Sequence, residues 1–183
     1  MYIVDPLYGE YEITEPVFLD LLRHPALLRL HGVAQHGLPE QWFPEMKTFS
    51  RFEHSVGVFL LLRKLGAPLK EQVAGLVHDV SHTVFSHVID RVYKTKRSYQ
   101  DTIHEKYLLI SGLAQVLAMH GFDYQEIARY KQFTMLEQSL PQLCADRVDY
   151  ALRELLHNNK EEIALRCVAE LAYFSGTIVS SLG

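Results

Sequence analysis

The spacing of apolar positions changes once, close to the start of the chain. Residues 2–13 place β-branched and aromatic side chains around Asp5-Pro6 and Tyr8-Gly9, which predicts a small extended or hairpin element. From Thr14 the period becomes helical. Proline at position 16 suits a first helical turn, and Val17, Leu21 and Leu22 share a face. His24-Pro25 breaks that helix, and a short second one carries Leu27, Leu28 and Leu30 to Gly32. Residues 36–49, with two prolines, Trp42 and Phe43, show no period and predict a loop. Ser50 is placed to cap a helix over 51–65, closed by Gly66. Pro68 opens the next, with Val73, Leu76 and Val77 inward, and Phe85, Val88, Ile89 and Val92 mark another. Residues 94–100 predict a polar, basic loop, and helices are expected over 103–119, 123–131, 138–157 and 160–180. The pattern predicts an all-α fold with a minor β start, as one domain over residues 1–183.

Composition narrows the function. With 48% hydrophobic residues, 183 residues suffice for one well-buried core. A net charge of −4 supplies no basic field for non-specific nucleic-acid binding, though it leaves room for a nucleotide-sized substrate. Apolar runs such as Val56 to Leu62 fall far short of a membrane span, and the start lacks the pattern of a signal peptide. Cys144 and Cys167 are expected reduced, as in a cytoplasmic protein.

Five of the ten histidines fall between positions 54 and 104. The others (His24, His31, His36, His120, His157) stand near helix ends or turns, where imidazole caps carbonyls or meets solvent. His54, His78, Asp79 and Asp146 fall on three predicted helices with apolar neighbours one turn away, which would turn each side chain into a shared core. Buried carboxylates need a partner. Two imidazoles with two carboxylates suit a divalent cation. Arg51 and Arg147 offer the competing answer of Arg–Asp ion pairs, and spacing alone leaves both open.

The strings around these residues carry a family resemblance. Arg51-Phe52-Glu53-His54-Ser55, His78-Asp79-x-x-His82-x-x-Phe85-Ser86-His87, His104-Glu105 and Asp146-x-x-Asp149-Tyr150 occur in order, preceded by Leu28-Arg29-Leu30 and Gln35-x-Gly37. This series resembles the HD superfamily of metal-dependent phosphohydrolases, and within it the deoxynucleoside triphosphate triphosphohydrolase branch, over residues 5–157. The resemblance implies an HD-domain helical bundle. It implies His54, His78, Asp79 and Asp146 as ligands of a divalent ion, whether zinc, manganese, iron, nickel or magnesium. It implies His82 and His104 as proton-transfer groups, with Asp90 orienting the catalytic imidazole. Arg51 matches a phosphate-contacting arginine, and Arg147 stands where a phosphate-binding lysine is common. Gln35, Tyr150 and Glu154 match positions near the sugar.

Members of that branch are usually much longer, so the hydrolytic centre carries over and triphosphate specificity does not. The expected activity is hydrolysis of a nucleotide or related phosphoester. A 5′-nucleotidase, a phosphodiesterase and a regulatory module without turnover stand as alternatives, and the sequence leaves a homo-oligomer open. Residues 158–183 match nothing in the family and are expected to form one amphipathic helix.

Overall fold

The computed structural model describes residues 1–37, 47–94 and 98–180. The predicted loop segments around Trp42 and Phe43, and at 95–97, therefore lie outside the described residues. The first hairpin pairs β1 (Tyr2–Asp5) with β2 (Gly9–Glu12) antiparallel, Asp5 opposite Gly9. Asp5 is buried and builds the turn, its Oδ1 accepting from the backbone N–H groups of Leu7 at 2.9 Å and Tyr8 at 3.2 Å. The helices α1 (Pro16–Arg23) and α2 (Pro25–Leu28) follow, separated by His24 in an extended conformation as the His-Pro pair predicts. Leu28 is 42% exposed, so only Leu27 and Leu30 of the predicted apolar trio face the interior.

The helix α3 (Arg51–Lys64) is the axis of the molecule. Ser50 caps it in a reciprocal capping box with Glu53: Ser50 Oγ accepts from Glu53 N–H at 3.1 Å, and Glu53 Oε2 accepts from Ser50 N–H at 2.8 Å. Its five residues Val58 to Leu62 are all fully buried, so the helix is apolar all round and must sit at the centre. α4 (Leu69–Val77) packs along it, burying Val73, Ala74, Leu76 and Val77, and α9 (Ala145–His157) crosses its other side. Around these three lie α5 (Val88–Tyr93), α6 (Tyr99–Ile110), α7 (Leu113–Met119) and α8 (Tyr124–Ala128).

Three sequence expectations need correction. The helix expected over 103–119 breaks at Gly112, whose φ of +89° is left-handed and starts a new helix. The helix expected from 138 begins only at Ala145, because residues 138–144 contain Pro141 and form turns. The expected helix over 160–180 is a shorter one, α10 (Glu161–Glu170), followed by a hairpin of β3 (Leu171–Phe174) and β4 (Thr177–Ser180). Ser175-Gly176, both at positive φ, make the two-residue turn between β-branched and aromatic strands, and Ile178 anchors the hairpin in the core. The fold is mostly helical, with the antiparallel pair expected at the start and this second one unforeseen.

Gly75 sets how closely α3 and α4 approach, since a Cβ there would stand 2.4 Å from Leu62 Cδ1 and 3.3 Å from Val58 Cγ1. Gly75→Ala should therefore destabilise by about 1–3 kcal/mol through overpacking. Denaturant unfolding reads this directly; wild-type stability would show that the crossing yields without cost.

Candidate metal centre

Three helices, α3, α4 and α9, converge on one buried cluster. His54, one turn into α3, has its ring fully buried and both nitrogens engaged: Nδ1 donates to Asp149 Oδ2 at 2.8 Å, and Nε2 faces Asp146 Oδ1 at 2.9 Å. Asp146 and Asp149 lie three residues apart at the start of α9, so both carboxylates share the face turned to α3. His78 closes α4. Its Nδ1 stands 2.7 Å from the Gly75 carbonyl oxygen, which can only accept, so Nδ1 carries the hydrogen and Nε2 is left as the inward-facing nitrogen.

That Nε2 is the informative atom. It is buried and has no hydrogen-bond partner, with Asp79 Oδ1 at 3.5 Å and Asp146 Oδ1 at 3.6 Å. An orphaned imidazole nitrogen beside carboxylates costs free energy unless something else occupies the space between them. Among the described residues, His54, His78 and Asp146 each offer a ligand atom within 4.8 Å of the others, and this donor set fits a divalent cation.

Asp79 belongs to the same cluster and takes its closest contacts from Arg51 and His82. Its Oδ2 pairs with Arg51 Nη1, its Oδ1 lies 3.2 Å from His82 Nε2, and its Oδ2 stands 3.9 Å from His54 Nε2. Arg51, 2% exposed, also donates from Nε to Ser86 Oγ at 2.9 Å and from Nη2 to the Gln35 carbonyl at 3.1 Å. Both answers left open for the buried carboxylates thus coexist, an Arg–Asp pair and a set of metal-type donors side by side.

The charge states follow from this packing. Burial opposes a charged His54, yet hydrogen bonds to Asp146 and Asp149 outweigh it and push its pKa up to about 9. Burial also opposes ionised Asp79 and Asp146. Arg51 and the imidazoles of His78 and His82 overcome it for Asp79, and His54 and His78 for Asp146, so both carboxyls sit well below the usual range. His82 is lowered by burial, and His104 is pushed down to about 4 by burial and then by the neighbouring His78.

The other expected residues divide. A cavity of about 260 Å³ opens over the cluster, lined among others by His78, Asp79, His82, Tyr130, Glu137 and Asp146. His104 is not among its described lining residues; Ser81 Oγ holds its Nδ1 at 3.0 Å, while Nε2 is buried without a partner. Asp90 contacts neither His82 nor His104 by hydrogen bond. It meets His87 Nδ1 at 3.1 Å and accepts from Tyr99 N–H at 2.6 Å, which ties it to its own helix and to the start of α6. A second cavity of about 370 Å³ shares Gln35, Arg51, His87 and Asp146 with the first and adds His36, Arg147 and Tyr150. Arg147 is tied to loop 138–144 through the carbonyls of Gln138 and Gln142, both at 2.6 Å. Glu154 pairs with His36 at 2.7 Å behind Tyr150. A larger, open cleft of about 670 Å³ adjoins the cluster over Asp101, Tyr130 and Lys131 but holds none of the donor atoms.

Sequence reasoning assigned no role to Asp149, Ser81, Tyr130 or Glu137. Only Asp149 carried a signal, its three-residue offset from Asp146. The other three meet the site through tertiary packing.

Fold and cluster together define a helical scaffold built around a buried histidine–carboxylate centre. The HD domain family matches residues 51–154, and the chain belongs to that family. It is 41% identical over 176 residues to the metal-dependent phosphohydrolase cns2 of Cordyceps militaris, spanning 94% of this chain and 50% of that one. It is 29% identical to the deoxynucleoside triphosphate triphosphohydrolase SAMHD1 of Danio rerio, over 74% of this chain and 26% of that protein. A crystal structure of a phosphohydrolase from Bacteroides thetaiotaomicron superposes with a TM-score of 0.67 at 26% identity, covering 98% of this chain and 48% of the other. The chain spans about half the length of the curated relatives it matches first. No helix among the described residues is long and apolar enough to cross a membrane.

Arg51→Ala would leave the Asp79 carboxylate buried without its cation. Metal-free protein should lose about 3–5 kcal/mol in denaturant unfolding. Stability within 1 kcal/mol of wild type would instead free Arg51 for a role toward substrate alone.

Proposed function

We propose that residues 1–183 act as one HD domain, a metal-dependent phosphohydrolase acting on a nucleotide or related small phosphoester. The observation that carries this reading is the unpartnered Nε2 of His78, facing Asp146 and Asp79 at the floor of a cavity. His54, His78, Asp79 and Asp146 would hold the ion, Asp79 by turning one oxygen from Arg51 or His82. A bound divalent ion supplies Lewis acidity toward a phosphoryl oxygen and lowers the pKa of a water. The metal-dependent phosphohydrolase name of the fungal relative supports the class.

The protein's own groups account for the rest of the chemistry. Arg51 lines both cavities, joined by Lys131 in the first and Arg147 in the second, and brings positive charge to the place where phosphoryl oxygens would gather. His82 stands in the cavity wall with Nε2 toward Asp79, placed to pass a proton to a departing oxygen. His104, one layer back, keeps Nε2 unpaired and its Nδ1 fixed by Ser81, so its ring is oriented before any substrate arrives. The Gln35 and Tyr150 side of the second cavity would take the sugar, with Glu154 setting His36 beside it, and Arg147 on the same wall would face a phosphate. Within this class a deoxynucleoside triphosphate is the most specific substrate the sequence series supports, in line with the similarity to the zebrafish triphosphohydrolase. A 5′-nucleotidase or phosphodiesterase would use the same floor and differ only in what the second cavity accepts.

Release of phosphate, pyrophosphate or triphosphate from a nucleotide panel, with zinc, manganese, iron, nickel and magnesium supplied in turn, tests the class and names the product. His82→Ala and His104→Ala should each retain metal and fold yet lose turnover by roughly 10²–10⁴-fold. Wild-type rates in both variants would remove acid–base chemistry from these residues. No release from any nucleotide by metal-loaded protein would favour a binding module without turnover.

A further inference from the structure

The hairpin at the start of the chain lies outside the family match at 51–154, yet its Tyr8 bonds the carboxylate that holds His54, and its Asp5 bonds the arginine behind that carboxylate. Tyr8 is buried, and its hydroxyl donates to Asp149 Oδ1 at 2.8 Å. The other oxygen, Asp149 Oδ2, accepts from His54 Nδ1 at 2.8 Å and from Arg153 Nε at 2.9 Å. Arg153, 2% exposed, carries the network back to the hairpin: its Nη2 donates to Asp5 Oδ2 at 2.7 Å. Asp5 in turn builds the turn that presents Tyr8. The loop of bonds is closed: Asp5, Arg153, Asp149, Tyr8, and Asp5 again.

The helix that carries His54 is shaped to admit this network. Gly57 stands three residues after His54 on α3, and a Cβ there would lie 2.0 Å from Arg153 Nη2 and 2.1 Å from Asp149 Oδ1. Any larger residue would displace the very groups that hold the imidazole. A glycine inside a buried helix is unfavourable by about 1 kcal/mol relative to alanine, so the vacated volume serves the Asp149–Arg153 pair.

We propose that the Asp5–Tyr8 turn is part of the metal centre, with Tyr8, Asp149, Arg153 and Asp5 as positioning residues for His54. Asp149 accepts the Nδ1 hydrogen and so keeps Nε2 turned toward His78 and Asp146, where a cation would take the place of its hydrogen. Tyr8 and Arg153 fix the Asp149 carboxylate in rotation, one from each side. Without them the carboxylate can turn, and the imidazole loses the single orientation that ligation needs. The inference rests on the metal-centre reading above and adds to it a role for residues outside the family match.

Zinc affinity of the whole chain, measured by competition with a chelator, tests the relay alongside denaturant unfolding of the metal-free protein. Tyr8→Phe keeps the ring and removes only the hydroxyl. It should weaken zinc binding about 10-fold or more, the scale for loss of an outer-sphere partner, while the metal-free protein still unfolds in one cooperative transition. Asp5→Asn tests the network from its far end and should weaken zinc binding in the same direction. Wild-type zinc affinity in a folded Tyr8→Phe or Asp5→Asn protein overturns the proposal and leaves the hairpin a structural cap. His54→Ala separates the two levels: if it binds zinc as tightly as wild type, the metal-centre reading itself fails, whatever Tyr8 does.

Discussion

Everything around the centre follows from placing one imidazole, His54, in full burial between two carboxylates three residues apart on a facing helix. An unpaired carboxylate in that position would be costly, and so would a charged imidazole. Together they are compatible only if α3 and α9 cross at one distance and one register. The capping box at Ser50 and Glu53 fixes where α3 begins, and so fixes the height of His54 against Asp146. The apolar run Val58 to Leu62 further along the same helix holds the crossing rigid. Local signals, core packing and the site are thus consequences of one another.

α4 supplies the complementary half. It packs against α3 at Gly75 and ends at His78, so the residue that permits close packing also orients the second imidazole through its carbonyl. At its other end Glu71, buried, accepts from the backbone N–H groups of Met135 and Leu136 at 2.8 and 2.9 Å. Those residues in turn bond Ala145 and Asp146 through the backbone. One short helix therefore positions His78 directly and Asp146 at one remove. Asp79, next in sequence, shares its charge with Arg51 and His82, which makes it the adaptable member of the set.

The helical core was legible because its signals are local: Ser50, Gly66 and Pro68 punctuate one helix that is apolar all round and a second with its apolar residues at Val73, Leu76 and Val77. His54, His78, Asp79 and Asp146 could be gathered from their motif series, and the structure brings all four into one cluster. The C-terminal hairpin is hidden because Phe174 and Ile178, four residues apart, also satisfy a helical spacing, and only the Ser175-Gly176 turn between them marks the strands. The motif places Asp90 as the partner that orients the catalytic imidazole, and in the structure the imidazole it meets is that of His87. Arg147 was assigned to phosphate, while loop carbonyls claim its guanidinium. The link from Asp5 and Tyr8 to Asp149 spans more than 140 residues and leaves no periodic trace, so no local reading reaches it.

Anomalous diffraction from crystals soaked in manganese or zinc tests the central claim most directly. If these side chains hold the ion, one strong peak appears within about 2.0–2.2 Å of His54 Nε2, His78 Nε2 and an Asp146 carboxylate oxygen, the distances of ordinary ligation. A metal-soaked crystal with no peak between these three residues, or with peaks only at surface histidines, would contradict it and return the cluster to a buried ion-pair network.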